Sequence, residues 1–444
     1  MSKKKVKRTS TLQSLTALAL ALPGIGAQSH ADDVPYDKTQ LDLKFSHYYE
    51  TSNRYKIDVY QADFKIPINE TFDASVYFQQ DSMAGASTAL YAPPILSNIG
   101  GRSLTDLEET KTGASIRDRR DEFGIKGRYF RDNFNTGLRV SYSTEKDYNS
   151  LNFSSDSQFS FNKKNTALLV GFSLSDDQVK RSPDTQGHPW DTLQAKGKKN
   201  TYRFMLGLKQ DLSKTTYMQV SAEADFDRGY LSDGYKKALI HGDATAARTD
   251  SEYIPYAAIA GFLAPGTVVP AGGVTIDFDR RPRTRKTYAL VGHLVHGIES
   301  LKSSIHGNYR FGINDWGIQS HTFEASYFQP IGEGWDISFL GRYYAQSEAR
   351  FYGMAFSVVP GAPFPAKSIG MSDFASTDYR LTYFGSFGGE VKVMKTITPQ
   401  IKANVLAGVN IRKGSYSFLG KSNWGNPTNN FNTYYLSAQL KFEF

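Results

Sequence analysis

The sequence predicts an antiparallel transmembrane β-barrel of about 16 strands, with short periplasmic turns and long external loops. Three observations carry the prediction. Segments of about 9–14 residues alternate apolar and polar side chains along most of the chain. Their connections alternate between short turns and long loops. The last alternating segment runs through Tyr434, Leu436, Ala438, Leu440 and Phe442 to Phe444, with Tyr435, Ser437, Gln439, Lys441 and Glu443 between.

The N-terminus reads as a secretory signal peptide over residues 1–31, leaving 32–444 as one barrel domain. Lys3, Lys4, Lys5, Lys7 and Arg8 make its basic end. Leu12 to Leu22 is apolar but too short to span a bilayer as a helix, and Pro23 and Gly24 break it. Ser29 and Ala31 then stand where a cleavage site needs small residues. A short buried helix of a soluble protein is the competing reading. The basic cluster and the small residues before Asp32 argue against it.

The strands follow in order. Leu41, Leu43 and Phe45 alternate with polar residues. Phe64, Ile66 and Ile68 turn at Asn69–Glu70 into Phe72, Ala74, Val76 and Phe78. Phe123, Ile125 and Tyr129 pair across Asp132–Asn133 with Leu138, Val140 and Tyr142. Phe159 and Phe161 precede Leu168, Val170, Phe172 and Leu174. Phe204, Leu206 and Leu208 meet Met218, Val220, Ala222 and Phe226. Ala289, Val291 and His293 face Ile305, Tyr309 and Phe311. Phe323 and Tyr327 meet Ile337, Phe339 and Tyr343. A strand from Leu381 through Tyr383, Phe387 and Val391 meets Ile401, Val405 and Ile411. The long connections fall near 81–120, 175–198, 227–284, 346–376 and 413–431. A β-sandwich or propeller would also show many strands, but would not need so regular an alternation of turn and loop.

Composition sets further bounds. The chain is 40% hydrophobic and 14% aromatic, with a negative mean hydropathy. That suits a barrel, where only alternate side chains face lipid. The net charge of +8 falls to about +3 once the five signal cations are set aside, so the basic balance is no argument for nucleic acid. With no cysteine, disulfides, thiolate metal sites and Cys nucleophiles are excluded.

If the apolar residues face lipid, the residues between them line the lumen. Arg128, Arg139, Glu223, Arg310, Glu324, Arg342 and Arg380 are the lumen candidates, mixed in sign. They either brace a polar interior or select a solute. Arg280, Arg281, Arg283 and Arg285 end the longest loop, and Asp315, Trp316 and His321 sit one hairpin away. Together these are rim candidates for an anionic or aromatic ligand, or else a rigidifying ion-pair network. Phe442 and Phe444 are the expected signal to the barrel-assembly machinery. His293 and His296 fall on opposite faces of a strand, so no metal site is expected. No P-loop, dinucleotide fingerprint or nucleophile elbow stands out, and no cofactor is expected.

Several of these stretches resemble the bacterial outer-membrane family "domain of unknown function 3570". They are Asp81 through Ser87, Gly229 through Tyr235, Arg280-Arg281-Pro282, Tyr309 through His321, Gln329-Pro330 with Gly334-Trp335, and Arg342-Tyr343-Tyr344 with Phe351-Tyr352. Gly234 departs from the family pattern, which has Pro there. The resemblance implies an outer-membrane barrel and no particular activity.

The leading functional expectation is a pore or transporter for small polar solutes or ions. The alternatives are a plugged barrel that docks partners in redox or metal traffic, and an outer-membrane hydrolase. A loop-filled lumen would favour the scaffold. A Ser and a His in reach of each other on the lipid face would favour the enzyme.

Overall fold

A computed structural model describes residues 37–444 except 53, 86–87, 97–101, 112–115, 181–195, 249–250 and 421–429. The expected signal peptide, residues 1–31, lies outside the described residues. The wall begins with β1 (Gln40–Glu50), β2 (Tyr55–Asn69) and β3 (Phe72–Gly85). Two short strands, β4 (Thr88–Ala92) and β5 (Glu108–Lys111), follow in a loop. The wall resumes with β6 (Ile116–Arg131), β7 (Phe134–Thr144), β8 (Tyr148–Phe161), β9 (Thr166–Lys180), β10 (Lys196–Asp211) and β11 (Thr216–Gly229). The longest loop holds β12 (Lys237–His241), β13 (Glu252–Pro255) and β14 (Gly273–Phe278). Next in the wall come β15 (Thr284–Ile298), β16 (Ser303–Asn314), β17 (Gln319–Gly332) and β18 (Trp335–Gln346). Another loop carries β19 (Phe356–Ser357) and β20 (Lys367–Ser368). The wall ends with β21 (Phe384–Thr398), β22 (Ile401–Lys413) and β23 (Phe431–Glu443).

The sixteen wall strands form one closed antiparallel barrel, each paired to its neighbour in the chain. The ring closes between β1 and β23, from Gln40↔Glu443 to Glu50↔Thr433. Closure leaves no strand edge unpaired, which is what a sheet surrounded by lipid requires. The expected strand from Leu381 begins instead at Phe384, because Tyr379–Leu381 form a 3-10 turn.

Period-two alternation now has two addresses. Phe204, Leu206 and Leu208 are 46%, 57% and 52% exposed on the outer face. A wall bathed in water would not present so continuous an apolar surface. Their neighbours Arg203 and Lys209 belong to the opposite, lumenal face. No helix among the described residues is long and apolar enough to cross a membrane.

The turns at residues 70–71, 132–133, 162–165, 212–215, 299–302, 333–334 and 399–400 lie at the end where β1 begins and β23 stops. The long connections lie at the other end, the external one in barrels of this class. Gly229 marks where the chain leaves the wall for the longest loop. Its φ is +120°, and a Cβ there would lie 2.1 Å from the Lys198 carbonyl oxygen, so only glycine allows the exit.

Candidate functional site

Three long loops fold together into a cap at the external end. β13, β14, β12, β19 and β20 form a five-stranded sheet from the two longest of them. Antiparallel β12 and β14 carry Leu239 opposite Ile276 and Ile240 opposite Thr275. Leu239, Tyr256, Val274 and Ile276 pack with Ala355 and Phe364, and with Leu90, Ala92 and Leu104 of the β3–β6 loop. A second cluster joins Ala238, Ile240 and Ala244 to Phe356 and Ala375. The cap therefore has its own apolar core, separate from the wall.

Buried charge ties the two longest loops together. Arg248 is fully buried, pairs with Asp277, and donates to the carbonyls of Asp373 at 2.7 Å and Met371 at 3.1 Å. Arg281 reaches Asp279 at 2.6 Å and Asp378 at 2.7 Å. Arg380 lies against Asp378 and Asp233. The two loops also bridge through Arg280↔Ala375.

The carboxylates of this network differ. Burial raises Asp279 to about 6, against the pull of Arg281. Burial would raise Asp378 too, but Arg380 and Arg281 together hold it well below the usual carboxylate range. Asp233 is likewise lowered by Arg380 and Lys236 against its burial. Two cations beside Asp378, against one close to Asp279, account for the contrast.

The cap is tied to the rim at points around the ring. The Arg54 guanidinium, between β1 and β2, lies 4.3 Å from the Tyr379 ring centre and 4.5 Å from that of Phe431. Arg412 of β22 lies 3.5 Å over Phe384 and donates to the Tyr379 carbonyl. Tyr235 donates its hydroxyl to Asp147, between β7 and β8. Trp316, between β16 and β17, packs edge-on against Phe351 with ring centres 5.1 Å apart.

The lumen wall carries ion pairs that keep contact with water. Arg310 reaches Glu223 at 2.9 Å with 38% of its side chain exposed. Arg139 lies 3.5 Å from Glu122 with 42% exposed. Arg342 and Glu324, opposite each other in register, stand 3.5 Å apart. Arg128 is the exception: nearly fully buried, it bonds Asn135 at 2.8 Å and pairs with Asp156.

Of the seven lumen candidates, Arg128, Arg139, Glu223, Arg310, Glu324 and Arg342 stand on the lumenal face of wall strands. Arg380 does not. It belongs to the 3-10 turn of the cap, where its partners are Asp233 and Asp378. The rim candidates separate as well. Arg280 and Arg281 belong to the cap network. Arg285 pairs with Asp227 at 2.8 Å and lies 5.1 Å over Trp316. The buried Trp316 donates its indole N–H to the Thr284 carbonyl, and Asp315 accepts from the Lys286 amide. Arg283 is exposed, without an ion pair among the described residues. His321 sits on the lipid-facing side of β17, bonded to the Tyr309 hydroxyl at 2.8 Å and near Phe418. The seven do not converge on one ligand. Phe442 faces out opposite Leu41, and Phe444 is 69% exposed with its amide bonded to Thr39.

The cap residues Asp233, Arg248, Asp277, Asp279 and Asp378 escape the sequence reading. One signal was available: Val274, Ile276 and Phe278 alternate with Thr275 and Asp277 inside the longest loop. The histidine pairing was also hidden. His293 stands next to His306 across the sheet, ring centres 5.9 Å apart, with Tyr217 stacked on the other side at 5.7 Å. Ser304 Oγ is 3.1 Å from His306 Nε2, but the pair lies on the lumenal face, where a hydrolase acting on lipid would not hold it. No cluster of three or more potential metal ligands occurs among the described residues.

These features define a capped outer-membrane-type β-barrel. The family model described as "Protein of unknown function (DUF3570)" matches residues 12–414, and the chain belongs to that family. No curated protein matches the sequence. Among solved structures, the ferric enterobactin receptor PfeA of Pseudomonas aeruginosa is similar at 8% identity and a TM-score of 0.43, over 91% of this chain. The chain spans only 59% of that receptor's length. A bacterial polysaccharide outer membrane secretin is similar at 9% identity and TM-score 0.43, over 92% of this chain and 98% of its own. The monoaromatic hydrocarbon channel CymD follows at 7% and 0.39, over 92% and 88%. Likenesses this distant carry no argument about what passes or binds.

Proposed function

We propose that the protein is a bacterial outer-membrane barrel that admits small polar solutes or ions and whose external mouth is shut by its own cap. Residues 1–31 direct export, residues 32–444 form the barrel domain, and Phe442 and Phe444 address the assembly machinery. The observation that carries this reading is the layering. A cap with its own apolar core and buried ion pairs sits over a lumen in which Arg139 and Arg310 stay partly exposed to water. A barrel built only as a support would gain nothing from keeping those charges wet. The reading involves no covalent step.

Conductance of the refolded barrel in a planar bilayer tests it. The wild type is expected to be silent or to open briefly. Replacing residues 231–279 by a short glycine-serine linker is expected to give steady conductance, with a reversal potential set by the lumenal charges. A deletion variant that inserts and stays silent would overturn the pore reading. It would favour a surface or periplasmic scaffold, for which the cap's independent core would be the platform.

A further inference from the structure

Four adjacent strands carry a chain of cations on their outward faces near the external end. They are Lys180 on β9, Lys198 on β10, Arg228 on β11 and Lys286 on β15, all exposed. Their faces follow from alternation: Val170, Tyr202, Val220 and Tyr288 share the same parity and are exposed on the lipid side. Register links the four. Lys198 stands opposite Gln178, two residues from Lys180. Arg228 stands opposite Asn200, two residues from Lys198. Lys286 stands opposite Phe226, two residues from Arg228. Each step is a diagonal cross-strand neighbour, about 7–8 Å apart.

Like charges at that spacing repel, and low dielectric beside the bilayer strengthens the repulsion. None of the four has an ion-pair partner among the described residues. The patch's own acids do not serve. Asp176 accepts from Asn200 at 3.2 Å, and Asp315 accepts from the backbone amide of Lys286. Three other outward cations at this end have companions. Arg119 lies 3.0 Å from Asp121, Lys56 lies 5.5 Å over Tyr49, and Lys413 lies 5.3 Å over Tyr416.

Depth identifies what compensates the patch. Along their own strands Phe226 stands two residues below Arg228, Tyr288 two below Lys286 and Tyr202 four below Lys198, with the Phe226 and Tyr288 rings edge-to-face at 6.1 Å. An aromatic girdle marks the boundary of the hydrocarbon layer. Residues two to four positions further along a strand lie about 7–13 Å further out along it, toward the headgroups. An anion at that height belongs to a lipid.

We propose that Lys180, Lys198, Arg228 and Lys286 form a docking surface for the phosphate groups of an outer-leaflet lipid, one that fixes lipid to the β9–β15 side of the barrel. The assignment rests on the membrane reading proposed above. Basic clusters at a membrane boundary bind anionic headgroups through charge and charge-assisted hydrogen bonds.

The test uses the full barrel in phosphatidylcholine nanodiscs, with insertion checked separately by heat-modifiable mobility. Bisphosphorylated lipid A is titrated in, and retained lipid is counted by native mass spectrometry. The wild type is expected to bind it at least about tenfold more tightly than the Lys180→Gln/Lys198→Gln/Arg228→Gln/Lys286→Gln variant. Added salt is expected to narrow the gap, dephosphorylated lipid A to abolish it, and Lys413→Gln to leave binding unchanged. Equal affinity of variant and wild type would overturn the proposal. So would binding of soluble heparin by an inserted barrel that does not distinguish lipid A from its dephosphorylated form. If the fourfold variant does not insert, Lys198→Gln/Lys286→Gln gives the same comparison at smaller size. A wild type that enters no bilayer would defeat the membrane reading itself, which is a separate outcome.

Discussion

Arg310 in the wall keeps 38% of its side chain exposed beside Glu223, whereas Arg248 in the cap keeps none beside Asp277. The two pairs use the same chemistry for different ends. A pair in reach of water adds little to stability, about 0–1 kcal/mol, so in the proposed pore its charges would remain available to a solute. A pair taken out of water is costly to form and costlier to break, because removing one partner strands the other. The wall's charges stay in reach of water, while the cap's charges are committed to holding loops together.

Breaking the cap pair should give the largest effect. Arg248→Ala leaves Asp277 buried without its guanidinium and removes the bonds to Met371 and Asp373. The expected loss is about 3–5 kcal/mol from the cap, with the wall intact. Limited proteolysis within 231–279 would show it, while heat-modifiable mobility stays as in the wild type. Unchanged protection would mean that something else holds the cap.

A smaller effect is expected from Arg310→Gln. Stability should change by less than about 1 kcal/mol. In a barrel opened by loop deletion, the reversal potential should shift toward cations, and Glu223→Gln should shift it the other way. Identical selectivity in both variants would leave these pairs as bracing only.

The smallest effect concerns pH. Asp279 titrates near 6 in the closed cap, whereas a free aspartate titrates near 3.9. The closed cap thus holds the proton more tightly than the open one, and closure strengthens as pH falls from 7 toward 4. Asp378 opposes this only at more acid pH, since its carboxyl is held well below the usual range. Cleavage within the cap should be slower at pH 5 than at pH 7.5, when each is corrected for the protease's own rate. Asp279→Asn should flatten the difference, and a wild type with equal rates would sink the idea.

The wall was legible in the sequence because alternation is local. Phe204, Leu206 and Leu208 announce their strand without reference to any other part of the chain. The cap was not, because its interactions join distant residues: Arg281 meets Asp378 97 positions later, and Arg248 meets Asp373 125 positions later. The misplaced start of β21 has the same origin. Leu381 and Tyr383 continue the alternation of the strand that follows, yet both are buried. Leu381 packs with Trp316 and Phe351 in the cap. Burial in a protein core and exposure to lipid both ask for an apolar side chain, so the pattern does not separate them. The run from Arg280 to Arg285 spans the passage from the longest loop into β15, which begins at Thr284, so its members have different surroundings: Arg281 lies in the cap network, Arg283 is exposed and Arg285 pairs with Asp227.

The seam between β1 and β23 has a consequence for how the molecule is made. Ser46 meets Ser437 across it, a bond spanning 391 positions of chain. The cap core likewise draws on Leu90 early and Phe364 late. Neither the ring nor its cover has a stable half-finished form, since a stalled intermediate would expose open strand edges and an incomplete apolar core. Assembly is thus gated by the arrival of the last strand, and a truncation before β23 should yield material for degradation rather than a narrower barrel.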